Sequence, residues 1–218
     1  VQEFKSTKGL NNSKSTVDKY GYMFDHLYEF AKNQRIELNF DAFTIPFLER
    51  FSAYLINDQG QLNSTQTKYI TIIKTFLRWS NERGYHENMQ FLKYKLKGVQ
   101  TDIIYLTETE LMRLYTFDLS ENVKLDQVRD VFCFECFTGL RFSDVKRLRK
   151  ENIKNGAISI TALKTRDKLN IPLNDYSIEI LKKYNGELPV ISGQRTNEYL
   201  KELGELVEIN EPTQITKY

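Results

Sequence analysis

Between residues 13 and 35 the apolar positions fall at Val17, Tyr20, Phe24, Leu27 and Ala31, steps of three and four that line one face of a helix. Ser13 or Ser15 stands where its N-cap belongs. A second helix is expected over "FTIPFLERFSAYLIND", with Pro46 in the first turn after Thr44, where no hydrogen bond is lost. A third is expected over "NSTQTKYITIIKTFLRWSNERG", with Ile70, Ile73, Phe76 or Leu77, and Ser80 inward and Gly84 as its stop. Thr67, Thr71, Lys74 and Arg78 share another face of that helix. Lys68 lies on its first turn, and Lys5, Lys8 and Lys14 precede it in the chain. Such a stripe is ordinarily a solvated outer face. Its mixture of short hydroxyls and long cations also suits contact with phosphates and base edges.

The next stretch, "FLKYKLKGVQTDII", alternates Lys93, Lys95 and Lys97 with Phe91, Tyr94 and Leu96. It reads as a basic linker over residues 91–104, between a helical domain of residues 1–90 and a second domain of residues 105–218. Thr107 and Glu110 form a capping-box signature at the start of the second domain. "LDQVRDVFCFECFTG" is an apolar helix stopped by Gly139. "SDVKRLRKENI" reads as a shorter helix, with Ser143 as N-cap and Asp144 in its first turn. The period then shortens to two: "AISITAL" and "KLNIPL" are expected as strands around the polar turn "KTRD". "NDYSIEILKKY" and "RTNEYLKELGELV" return to helix. The expected class is mainly α with a small β-hairpin.

Composition narrows the function classes. Of 218 residues, 40% are hydrophobic and 13% aromatic, ample for a packed core. No apolar run reaches membrane-spanning length, and no secretory signal pattern opens the chain, so a cytoplasmic location and no membrane partner are expected. Cys133 and Cys136 lie in an apolar helix, and the histidines, His26 and His86, are distant in sequence. Core thiols are expected there, with neither a redox pair nor a zinc site, and no cofactor. Residues 1–100 carry 14 Lys and Arg against 10 Asp and Glu; residues 101–218 carry 17 against 19. The mild basicity of the first part is a weak pointer to nucleic acid.

No Gly-rich phosphate loop, Ser-His-Asp order or metal-spaced carboxylate cluster occurs. What stands out is a pair of cations 23 positions apart: Arg141, just after a helix stop, and Lys164, at a strand end. A guanidinium fork can stabilise charge on phosphoryl oxygens, and a lysine on a hairpin can protonate a leaving oxygen. Taken singly, each is also an ordinary surface charge.

In order along the chain, these segments resemble the tyrosine recombinase, or phage integrase, family, especially integrases of mobile and conjugative elements. "FTGLRFSDVKRLRKENI" resembles the family's first-arginine motif, with its acidic residue at Asp144. "ISITALKTRDKLNIPL" resembles its catalytic hairpin, with the lysine at Lys164 and the closing pair Pro172 and Leu173. "YLTETELMRLY" resembles the opening helix of the catalytic domain, and the upstream helices resemble a core-binding domain. The resemblance implies a helical, SAM-like core-binding domain followed by the N-terminal part of an α+β catalytic domain. It also implies a double-stranded core recombination site as partner, with further protomers in a synaptic complex. A tyrosine would attack a DNA phosphate without a metal, freeing a 5′-hydroxyl. Arg141 would hold the phosphate, Lys164 would protonate the leaving oxygen and Asp144 would brace the arginine. Lys14, Thr67, Lys68, Thr71, Lys74, Arg78, Lys95 and Lys97 would contact DNA.

The sequence departs from the family after the hairpin. No histidine follows Lys164, Arg195 lacks a histidine three positions before it, and Tyr176, Tyr184 and Tyr199 lie in helix patterns. Tyr218 precedes the point where the missing motif would begin, so no nucleophile is assigned. The expectation is a chain cut inside its catalytic domain that binds DNA without cleaving it. A non-catalytic DNA-binding regulator or excision factor of the same shape is the alternative. A helical protein-interaction module is a third reading.

Overall fold

The computed structural model describes residues 1–96, 101–103, 105–209 and 214–216. The chain divides into two compact units, Val1–Thr101 with Thr216–Tyr218, and Asp102–Ile215.

Among the described residues, the first unit is built from α1 (Gln2–Gly9), α2 (Lys14–Asn33), α3 (Ile45–Asn57) and α4 (Asn63–Asn81). The face expected for α2 is the inner one: Phe24, Leu27 and Ala31 are buried, and Met23 and Phe30 complete it. Ile70, Ile73, Phe76, Leu77 and Ser80 of α4 are all buried. Thr44 caps α3, its Oγ1 accepting from the Phe47 amide at 3.3 Å. Gly84, with φ of 73°, takes the left-handed position just beyond α4.

Apolar periodicity begins only at Val17 and does not announce α1. That helix is too short to persist alone. It is held by Phe4, which is fully buried with its ring 5.2 Å from Tyr20, 5.3 Å from Phe76 and 5.4 Å from Trp79.

The expected linker also starts later than residue 91. Phe91 and Tyr94 are buried in the first core, and the Tyr94 hydroxyl donates to Ser52 Oγ at 2.9 Å. Two aromatic side chains gain more from burial against α3 and α4 than from a solvated linker.

In the second unit, α5 (Glu108–Thr116) begins with the capping box of Thr107 and Glu110. The long helix α6 (Val123–Thr138) follows, capped by Asn122 and ended by Gly139 at φ of 67°. The single turn α7 (Phe142–Val145) leads to the strands β2 (Ile153–Lys154), β3 (Ala157–Thr161) and β4 (Lys168–Pro172). A two-residue strand therefore joins the expected hairpin, giving an antiparallel sheet in the order β2-β3-β4, with Ile158 opposite Ile171 and Ile160 opposite Leu169. Helices α8 (Asp175–Lys183) and α9 (Gly193–Leu206) pack on α6. The short strands β1 (Thr101–Ile103) and β5 (Gln214–Thr216) pair with each other.

A buried ionic network ties α5, α6 and α8 together. Arg129, 7% exposed, donates from Nε to Asp130 Oδ1 at 2.6 Å and from Nη2 to Asp126 Oδ1. Its Nη1 donates to the carbonyls of Tyr115 and Phe117 at 2.9 and 2.7 Å, satisfying the end of α5. The second oxygen of Asp130 accepts from Lys183 Nζ at 2.7 Å and the Tyr184 hydroxyl at 2.8 Å. Asp130→Ala would take one of its two carboxylates from the buried guanidinium and leave Arg129 Nε and the Tyr184 hydroxyl without their acceptor. Unfolding of the second unit in urea is expected to lose about 3–5 kcal/mol; a loss under about 1 kcal/mol, the scale of an exposed pair, would show the network to be incidental.

Candidate active site and nucleic-acid interface

Arg141 follows directly from the way α6 ends. Gly139 turns the chain left-handed, Leu140 drops into the core, and Arg141 is left exposed in extended backbone, φ −74° and ψ 148°. It holds the N-cap position of α7: its carbonyl accepts from the amides of Asp144 at 2.8 Å and Val145 at 3.0 Å. Ser143, the expected cap, lies inside the helix. The helix stops after one turn, and both Val145 and Leu148 are buried in the core that follows.

Lys164 is exposed on the turn between β3 and β4. That turn is closed by the Ala162 amide donating to Asp167 O at 2.8 Å and the Arg166 amide to Ala162 O at 3.0 Å. Arg166 absorbs the reversal with φ of 65°.

Asp144 joins these two elements. Its side chain is fully buried, and Oδ1 accepts from the Leu163 amide at 2.7 Å. A buried carboxylate accepting an amide proton is among the stronger protein hydrogen bonds. Among the described residues Asp144 forms no ion pair with Arg141. The residue expected to brace the arginine holds instead the main chain one position before Lys164. Its Oδ2 is buried without a partner. Spacing alone did not disclose this contact, because it joins residues 19 positions apart through the sheet.

The remaining chemistry on α6 is quiet. Cys133 is buried as expected, whereas Cys136, three positions on, is exposed. Burial pushes the Cys133 thiol up to about 12; at Cys136, whose residue is exposed while its thiol is partly desolvated, desolvation and then the Glu135 charge push it up to about 11, so neither is a thiolate at neutral pH. Burial also raises the Glu135 carboxyl to about 7. Tyr176 stacks on Phe137 at 5.0 Å, and Tyr199 is half-buried. The Tyr184 hydroxyl is engaged by Asp130 and, chiefly through burial, titrates well above the usual range. Tyr218 lies outside the described residues.

The polar stripe on α4 divides into two kinds of residue. Lys68 and Arg78 are exposed, as are Lys14 at the start of α2 and Lys95. Lys74 is half-buried and its ammonium donates to the carbonyl of Tyr94, tying α4 to the end of the first core. Burial lowers its pKa, with Arg78 and Lys95 adding repulsion. Thr67 Oγ1 donates to Asn63 O at 2.9 Å and Thr71 Oγ1 to Thr67 O at 2.8 Å, so both hydroxyl protons are already engaged. Lys97 lies outside the described residues.

The fold has counterparts among solved structures. It resembles a lambda integrase tetramer bound to a Holliday junction, with a TM-score of 0.78 and 14% identity over 98% of this chain and 65% of that one. It also resembles a lambda integrase dimer bound to a COC′ core site, with a TM-score of 0.80 and 13% identity over 97% of this chain and 78% of that one. A third likeness is the Tn1549 transposon integrase in complex with transposon right end DNA, with a TM-score of 0.69 and 11% identity over 98% and 79% of the two chains. Among curated proteins none matches this sequence. Residues 1–96 match the phage integrase SAM-like domain, and residues 105–208 match the phage integrase family. The chain belongs to the tyrosine recombinase, or phage integrase, family.

Asp144→Ala is expected to speed amide exchange at Leu163 about 10- to 100-fold, the equivalent of losing a charged hydrogen bond of about 1.5–3 kcal/mol. Unchanged protection by NMR would show that the hairpin alone holds the lysine turn.

Proposed function

We propose that this chain is the DNA-binding part of a site-specific recombinase, and that it presents Arg141 and Lys164 to one backbone phosphate. The observation that carries the reading is the Asp144–Leu163 bond, which fixes the arginine corner and the lysine turn to each other. Exposed cations on two mutually fixed elements suit a phosphate whose charge builds during transfer. Arg141 offers two parallel N–H donors to the non-bridging oxygens. Lys164 gives its proton to the 5′-oxygen as the tyrosine–phosphorus bond forms and the bond to that oxygen breaks. The first unit contributes Lys14, Lys68, Arg78 and Lys95 to backbone contact. Lys74 supports that surface from beneath.

Lambda integrase is seen on core-site duplex and as a tetramer on a Holliday junction. By likeness, the partners of this chain are a double-stranded core site and further protomers. Among the described residues no helix is long and apolar enough to cross a membrane, and we place its work in the cytoplasm, where DNA is reached.

Cleavage is not expected of these 218 residues alone, because Tyr176 is stacked on Phe137, the Tyr184 hydroxyl is held by Asp130, and no histidine follows His86 to activate a nucleophile. A nicked suicide substrate should give no covalent adduct with them, and an adduct would overturn that statement. A labelled duplex should bind with steep salt dependence. Lys68→Ala combined with Arg78→Ala should flatten the slope of log K against log salt by about 2, roughly one unit for each phosphate contact removed. An unchanged slope would move the DNA surface away from α4.

A further inference from the structure

A second cationic site lies in the same unit as the arginine corner. Lys124, Gln127 and Val128 follow one another at helical spacing on α6. They face Ile191, just before α9, and Arg195 and Tyr199 in its first two turns, and these six residues line a cavity of about 200 Å³. No carboxylate lines it. Among the described residues, neither Lys124 nor Arg195 forms an ion pair. Glu198, three positions after Arg195 on the helix, accepts from Gln194 Nε2 at 3.3 Å. The cavity therefore gathers two cations that form no ion pair, an amide and a phenol, together with the apolar Val128 and Ile191.

Its position relates it to Arg141. A Cβ placed on Gly193 would lie 3.4 Å from the ring of Phe142, the residue after Arg141, so the first turn of α9 packs directly on α7. Two cations without a carboxylate select an anion, and a guanidinium with an amide beside it suits the oxygens of a phosphate.

We propose that Lys124, Gln127, Arg195 and Tyr199 form a second phosphate-binding pocket, which takes a backbone phosphate of the bound duplex other than the one facing Arg141. The pocket's anion chemistry stands on its own geometry. Its assignment to a DNA phosphate rests on the recombinase reading.

Two titrations of the chain test it. Inorganic phosphate added to labelled protein should produce saturable NMR shifts at Lys124, Gln127, Arg195 and Tyr199, and Lys124→Ala combined with Arg195→Ala should abolish them. Both side chains are exposed, and unchanged thermal unfolding of the variant would confirm its fold. Absent or non-saturable shifts, or shifts that persist in the variant, would overturn the pocket whatever the chain does with DNA. Labelled duplex at several salt concentrations should give the variant a log K against log salt slope shallower by about 2. An equal slope, with wild-type binding intact, would leave the recombinase reading standing and overturn the assignment to a DNA phosphate. Phosphate shifts in a chain that binds no duplex would overturn the recombinase reading and the DNA assignment together, leaving a pocket for free phosphate.

Discussion

The carboxylate of Asp130, 2% exposed, fixes the geometry of the second unit. A charge this deep is tolerated only when nearly every lone pair is met. Asp130 meets that condition by drawing protons from Arg129, Lys183 and Tyr184, which lie on α6 and at the end of α8. Arg129 carries the constraint further, to the last carbonyls around α5. With α6 held along its length, the place where Gly139 ends it is determined, and so is the place where Arg141 emerges. The exposed Arg141 thus owes its position to a set of matched charges centred on a buried carboxylate.

The contrast between Asp130 and Asp144 is informative. Both are buried acids, but Asp130 is surrounded by cations while Asp144 accepts one backbone amide and keeps an oxygen unpartnered. The first arrangement favours stability. The second accepts an electrostatic cost to hold a loop against a helix start, where backbone placement matters more than energy. A similar division separates Lys74, turned inward to the Tyr94 carbonyl, from Lys68 and Arg78, which remain in water.

Much of this was legible in the sequence. Periodicity located α2, α3, α4, α6 and both long strands, and cap chemistry located their ends, because both depend on neighbours within a few residues. What escaped depends on distant partners. Phe4 makes α1 through three aromatic rings contributed by α2 and α4. The brevity of α7 and the capping role of Arg141 follow from the burial of Leu140, Val145 and Leu148 together. Asp144 was singled out, but not the Leu163 amide it holds. The cavity at Lys124 and Arg195 joins residues whose proximity exists only once α9 has folded back on α6.

The threonines of α4 carry one consequence for recognition. Thr67, Thr71 and Thr75 each return their hydroxyl proton to the carbonyl four residues earlier, at 2.8–2.9 Å. The hydroxyls of that face keep lone pairs and methyl groups, and its outward donors are the cations. In the proposed role on a duplex its vocabulary would be narrow: guanine through arginine or lysine, the amino groups of adenine and cytosine through hydroxyl oxygens, and the thymine methyl through the threonine methyls. Neutral hydroxyls cannot steady it on phosphates in that rotamer, so in that role its grip and its reading of sequence would fall to different side chains. Site preference and overall affinity should therefore be separable by mutation along a single helix.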